Sequence, residues 1–302
     1  MTKFKAWLNA ARLRTLPLSV SGIIVGAAMA NFYGFTNPLV LFLAICTTIG
    51  FQVTSNFAND YGDGVKGTDN DDRIGPKRAL QSGILTDKEL KNGIILSVII
   101  NIILSITLLF VAFGTEQLFL ILFFLGLAIA SIWAAIKYTV GSSAYGYRGL
   151  GDVFVFLFFG LLAVLGTLFL FTNYLTVEAV LPAISIGLLS TGVLNLNNLR
   201  DCVSDKKSGK NTLVVKMGFE KGKIYHFTIL IIAFLSLLIF TFLNYESWIN
   251  VTHLLVFILI FTHANKVRKT VDPKELDPEL KKLALSTFLL SILFYVSYTI
   301  FL

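Results

Sequence analysis

The chain has 302 residues, of which 55% are hydrophobic and only 14% charged, and its mean hydropathy is +0.77. A soluble domain carries about a quarter charged residues, so a water-soluble globular fold is excluded. Apolar runs of about 20 residues instead mark an all-α, polytopic membrane protein embedded in a lipid bilayer. A net charge of +7 would direct a soluble protein toward nucleic acid. Here membrane topology accounts for it, and no nucleic-acid partner is expected.

In chain order, Lys3, Lys5, Arg12 and Arg14 precede a first apolar run from about Pro17 to Tyr33. Ala28-Met29-Ala30 superficially resembles a signal-peptide cleavage site, but the run is as long as a membrane span, so it is read as a retained helix. Nine spans are predicted, at about residues 16–34, 38–56, 92–113, 118–138, 150–172, 175–198, 225–243, 247–264 and 283–301. Together they make one transmembrane domain over residues 1–302, with long loops at about 57–91 and 199–224. Every one of the 25 Lys and Arg residues falls at the N-terminus or at the connections after spans two, four, six and eight. The positive-inside rule therefore places the N-terminus and these connections in the cytoplasm and the C-terminus outside.

Two polar clusters end spans on that basic side. The first is Asn56-Phe57-Ala58-Asn59-Asp60-Tyr61-Gly62-Asp63, at the exit of span two. The second is Asn197-Asn198-Leu199-Arg200-Asp201-Cys202-Val203-Ser204-Asp205, at the exit of span six. Asp60 and Asp63 are three apart and Asp201 and Asp205 four apart, so each pair shares a face if its helix continues. A carboxylate inside a bilayer costs roughly 2.5–3.5 kcal/mol on insertion scales, so such residues normally face a cavity and serve a function. Four of them repel one another unless a cation holds them, and oxygen ligands without thiolate or imidazole suit Mg2+. The alternative, that helix ends simply become polar at the surface, accounts for one boundary Asp but poorly for two such clusters.

The residues around the clusters are less selective. Asp69, Asp71 and Asp72 read as solvated loop acids, and Asp87 and Glu89 as ordinary loop charge. Lys66, Arg73, Lys77 and Arg78 in the first long loop, and Lys206, Lys207 and Lys210 in the second, are candidates to meet a phosphate. Lys137 and Tyr138 are candidates to line the same mouth, although Lys and Tyr are equally common interface anchors. Cys46 and Cys202 do not read as a structural disulfide, and no Cys or His spacing marks a zinc site. His226, His253 and His263 are dispersed and read as no triad or ligand set.

Asn59-Asp60-x-x-Asp63 and Asp201-x-x-x-Asp205 resemble the two aspartate motifs of the UbiA superfamily of intramembrane prenyltransferases. The similarity is greatest to the branch acting on 1,4-dihydroxy-2-naphthoate, through Arg14-Thr15-Leu16-Pro17-Leu18, Asp72-Arg73-Ile74-Gly75-Pro76, Tyr138-Thr139-Val140-Gly141, Tyr145-Gly146-Tyr147 and Gly209-Lys210-Asn211-Thr212-Leu213. Two positions depart from the pattern: Gly67 stands where a third first-motif Asp is common, and Ala11-Arg12-Leu13-Arg14 lacks the usual Arg-Pro, so Arg12 is assigned no role.

The resemblance implies a nine-helix bundle and a prenyltransferase of menaquinone synthesis in a bacterial plasma membrane. It implies Mg2+ held by Asn59, Asp60, Asp63, Asp201 and Asp205, with Lys66, Arg73, Arg78, Lys137, Asn198 and Lys210 on the diphosphate. Polyprenyl diphosphate and 1,4-dihydroxy-2-naphthoate are the implied substrates, and Tyr138 the implied aromatic neighbour of the allylic cation. The competing readings are a branch acting on 4-hydroxybenzoate, homogentisate or haem, and a secondary transporter with paired acids.

Overall fold

The computed structural model describes residues 2–67 and 78–299. Arg73, Lys77, Asp69, Asp71 and Asp72 lie outside the described residues. Among those described, nine helices are long and apolar enough to cross a membrane, and the chain is an integral membrane protein.

A short helix precedes the first crossing. Helix α1 (Lys3–Ala11) starts at Thr2, whose hydroxyl accepts from the Lys5 amide, and buries Ala6, Ala10 and Ala11. It ends at Arg12, whose φ of 51° places a non-glycine residue in the left-handed region. The chain then turns through Leu13–Thr15 into α2 (Leu16–Phe32), with Pro17 pre-set for the first helical turn. Trp7 of α1 packs edge-on against Phe57 at 5.2 Å and fills the space over Gly93.

Helix α3 (Pro38–Val65) is capped by Asn37, whose Oδ1 accepts from the Val40 amide at 3.1 Å. It runs nine residues past the predicted end of span two. No proline interrupts it, and its late glycines are packed: a Cβ at Gly62 would lie 2.5 Å from Thr139 Oγ1, and one at Gly64 would lie 2.3 Å from Leu80 Cδ2. The first acidic cluster is therefore helix, not loop. Helix α4 (Asp87–Phe113) likewise starts earlier than the apolar pattern predicts, because Thr86 and Glu89 form a reciprocal capping box. Glu89 also takes an ion pair from Lys3 at 2.6 Å, so it is not merely loop charge.

Helix α5 (Leu118–Lys137) matches the predicted fourth span, and α6 (Gly151–Thr172) passes through a π-helical stretch at Phe156–Leu162. Helix α7 (Val180–Lys207) is the counterpart of α3 and also continues nine residues beyond its predicted end, through the second acidic cluster. A short helix, Leu213–Met217, leads into α8 (Phe219–Leu243). Helix α9 (Val256–Lys269) follows a 3-10 turn, Trp248–Leu255, and α10 (Asp277–Ser297) follows another, Pro273–Leu276.

Lipid tails are as apolar as leucine, so these helices associate through close packing rather than a hydrophobic drive. Helix α2 packs on α6 and α10, α3 on α4, and α7 on α6, α8 and α10. Helices α6 and α7 cross closely, where a Cβ at Gly160 would lie 2.6 Å from Gly187 Cα. The three histidines form no metal-ligand set among the described residues, but two of them meet. His226 of α8 and His263 of α9 meet at 3.2 Å, and His263 Nδ1 lies 2.6 Å from Glu279 of α10. Sequence spacing hid the contact because three helices bring these side chains together. All three lie away from the cavity described next.

Candidate functional site

Because α3 and α7 stay helical through their clusters, Asp63, Asp201 and Asp205 reach one cavity of about 420 Å³. Its deeper wall is apolar, with Leu108, Leu109, Phe124, Phe158 and Leu162 among its lining, and its mouth carries Asn59, Arg78, Tyr138, Asn197 and Lys210. An apolar cleft with a few convergent polar groups is the usual form of a small-molecule site.

In the first cluster, Asp60 is fully buried. Its Oδ1 accepts from Arg12 at 2.5 Å and lies 3.3 Å from Arg78 Nη1, while its Oδ2 has no hydrogen-bond partner among the described residues. Arg12 and Arg78 line the cavity, so two guanidiniums stand between Asp60 and the open space. Asp63 accepts from the Tyr147 hydroxyl at 2.8 Å and faces Lys210 Nζ at 3.7 Å. Asn59 accepts from Thr139 Oγ1 at 3.2 Å. Asn56 ties the corner together, donating to the Ala11 carbonyl at 2.8 Å. It thereby fixes the turn that aims Arg12 at Asp60.

In the second cluster, Arg200 donates to both oxygens of Asp201, at 2.8 and 2.6 Å. Asp205 is buried and its Oδ2 has no hydrogen-bond partner among the described residues. Lys210 approaches from the loop after α7. Burial opposes its charge, but the carboxylates of Asp63 and Asp205 outweigh that and raise its pKa above the ordinary lysine value.

The other predicted residues fall at varied distances from the cavity. Tyr138 lines it, with its ring edge-on to Tyr145 at 5.4 Å, and burial pushes its phenol up to about 12. Lys66 donates to the Thr139 carbonyl at 2.7 Å and sits 3.9 Å over the Tyr147 ring, outside the cavity wall; burial lowers its pKa. Lys137 is the last residue of α5 and Asn198 is buried within α7; neither lines the cavity, whereas Asn197 does. Arg73 lies outside the described residues. Tyr147, Arg12 and Arg200 were missed by the sequence reading. The signal for Tyr147 was present in Tyr145-Gly146-Tyr147, whose two hydroxyls take separate tasks: Tyr145 donates to the Ala134 carbonyl at 2.8 Å.

The donor set fits Mg2+. Asp205 Oδ2, unpartnered among the described residues, is a hard carboxylate oxygen on a residue of the cavity wall, buried where an unpaired charge is costly, whereas Asp60 lies off that wall behind Arg12 and Arg78. Among the described residues no three His, Cys, Asp or Glu converge as a preformed metal cage.

Comparison with known proteins places this geometry in context. Residues 19–281 match the UbiA prenyltransferase family. The chain is 46% identical to a 1,4-dihydroxy-2-naphthoate octaprenyltransferase of Haemophilus influenzae and 42% identical to one of Escherichia coli, in each case over 97% of this chain and 95% of the relative. Among solved structures, a UbiA homolog from Aeropyrum pernix K1 superposes with a TM-score of 0.71 at 14% identity, covering 96% of this chain and 98% of that one. A UbiA homolog from Archaeoglobus fulgidus bound to DMAPP and Mg2+ gives 0.61 at 14% identity, covering 96% and 99%.

Proposed function

The chain belongs to the UbiA prenyltransferase family, and from that premise we propose that it transfers a polyprenyl group from polyprenyl diphosphate to 1,4-dihydroxy-2-naphthoate, with loss of the ring carboxylate. The observation that carries this reading is the meeting of the two aspartate clusters at the polar mouth of an apolar cavity. The relatives at 46% and 42% identity, named for that acceptor, support the choice of branch.

The division of the cavity suits the two halves of the donor. The isoprenoid tail lies along Leu108, Leu109, Phe124 and Leu162, and the diphosphate rests at the mouth beside Arg78 and Lys210. Arg12 faces the same space. Asn59, Asp63, Asp201 and Asp205 would hold Mg2+ there, whereas Asp60, expected from the sequence as a further ligand, lies off the cavity wall and instead holds Arg12 and Arg78 toward it. When bound, the metal supplies charge stabilisation to the departing diphosphate. Lys66 acts at one remove, by fixing the Tyr147 ring whose hydroxyl orients Asp63.

The allylic C–O bond breaks and its electron pair leaves with the diphosphate. Tyr138 and Tyr145 line the cavity where the allylic cation would form, and an aromatic face turned to it would stabilise it. The apolar wall keeps water from it. The electron-rich ring carbon bearing the carboxylate then forms the new C–C bond. Loss of carbon dioxide returns the electron pair to the ring, so aromaticity is restored without a base removing a proton.

The basic end of the bundle faces the cytoplasm in this account, which puts the N-terminus inside and the C-terminus outside. Residues 1–302 act as a single membrane domain. The test is to assay one membrane preparation with polyprenyl diphosphate and Mg2+ against 1,4-dihydroxy-2-naphthoate, 4-hydroxybenzoate, homogentisate and haem. Turnover of the naphthoate is expected. Turnover of another acceptor in its place would overturn the branch assignment.

A further inference from the structure

Arg200 is the largest side chain in the molecule's fully buried set among the described residues, with 1% exposure. It does not line the cavity, yet its neighbours on either side of the helical turn, Asn197 and Asp201, both do. Its guanidinium donates to four oxygens. Nε and Nη2 take the two oxygens of Asp201, Nη2 also reaches Asn197 Oδ1 at 2.8 Å, and Nη1 reaches Asp277 Oδ1 at 2.6 Å. Asp277 opens α10, so the fork joins the second acidic cluster to the start of the last helix.

We infer that Arg200, anchored by Asp277, is a positioning residue that fixes the orientation of Asp201 and Asn197 toward the cavity. This rests on the magnesium–diphosphate reading of the site. A bidentate guanidinium fixes a carboxylate in plane as well as in distance, which an ammonium cannot do. A carboxylate has about four lone-pair directions, so Asp201 keeps capacity for the cavity while both oxygens are held. Burying a paired Arg gives little net stability compared with an apolar side chain, which points to a geometric role. The cluster then divides its work: Asp201 is held in a fixed pose, and Asp205 presents the unpartnered oxygen.

The test compares purified wild type, Arg200→Lys, Asp277→Asn and the double variant, reading kcat, KM for the acceptor, the Mg2+ concentration for half-maximal rate and, without turnover, the Mg2+ dependence of binding of a non-reactive polyprenyl thiodiphosphate by calorimetry. Substitution of a residue that orients a metal ligand typically costs about 10- to 100-fold in metal affinity or activity. Arg200→Lys is expected to fall in that range, with an unchanged acceptor KM. Asp277→Asn, at a half-exposed position, shifts the Mg2+ response in the same direction by less. The double variant is no worse than Arg200→Lys, because the anchor has no effect once the fork is gone. Wild-type Mg2+ half-saturation in the folded fraction of both single variants would overturn the inference, even if their yield fell. A wild-type enzyme indifferent to Mg2+ would instead overturn the magnesium reading, and the positioning role with it.

Discussion

Removing one hydroxyl isolates the contribution of a residue that no spacing rule identified. Tyr147→Phe deletes the 2.8 Å bond to Asp63 Oδ1 and leaves the ring under Lys66, whose ammonium lies 3.9 Å from its centroid. The ring packing and the cation–π contact therefore survive. A hydrogen bond to a charged group is worth about 1.5–3 kcal/mol, and each 1.4 kcal/mol is about tenfold in rate or affinity. Lys210, 3.7 Å from the other oxygen, still compensates the Asp63 charge, which favours the lower part of that range. Turnover is expected to fall about 10- to 100-fold and the melting temperature by a few degrees, because the same bond also stabilises the fold. The assay is product formation by purified protein in lipid nanodiscs, with a thermal melt on the same sample. A folded Tyr147→Phe protein with wild-type turnover would refute the claim that this bond sets Asp63 for catalysis.

Three further outcomes are expected. Asp63→Asn and Asp201→Asn abolish Mg2+-dependent prenyl transfer without unfolding the protein, and wild-type turnover in either purified variant would sink the two-cluster site. Gly62→Ala places a methyl 2.5 Å from Thr139 Oγ1 and 2.8 Å from its backbone carbon; overpacking of this kind costs about 1–3 kcal/mol, read as a lowered melting temperature. Lys210 has a raised folded-state value, so its stabilising contribution is complete below the unfolded lysine value of about 10.4 and is lost only as pH rises through the folded one. The difference in melting temperature between wild type and Lys210→Met should therefore not shrink from about pH 7 to about pH 9; a difference that shrinks across that window would contradict the pairing.

Much of the architecture was legible because two independent sequence signals agree. Apolar run length set the number of spans, and the segregation of Lys and Arg to alternate connections checked it. Run length failed at the ends of α3 and α7, since hydropathy reports where a helix leaves lipid and not where its backbone hydrogen bonds stop. Acidic pairs three and four apart carried the correct hint that helix continues through Asp63 and Asp205. The cavity-lining acids Asp63, Asp201 and Asp205 were legible for the same reason. Their partners were not: Arg12 reaches Asp60 across 48 positions, Arg200 reaches Asp277 across 77, and Tyr147 reaches Asp63 across 84. Such pairings are fixed by helix packing, and no local periodicity encodes them. Lys137 and Asn198 show the converse, residues of suitable chemistry at suitable places in sequence whose helices leave them off the cavity wall.

The central claim is that the two aspartate clusters ionise a polyprenyl diphosphate for attack by a dihydroxynaphthoate ring. Mass spectrometry of the products formed by purified protein from polyprenyl diphosphate, 1,4-dihydroxy-2-naphthoate and Mg2+ tests it most directly. The account predicts a prenylated naphthohydroquinone or its quinone, lacking the acceptor's carboxylate, together with free diphosphate and none of either when Mg2+ is chelated. Recovery of both substrates unchanged, or equal product yield with the metal removed, would contradict it.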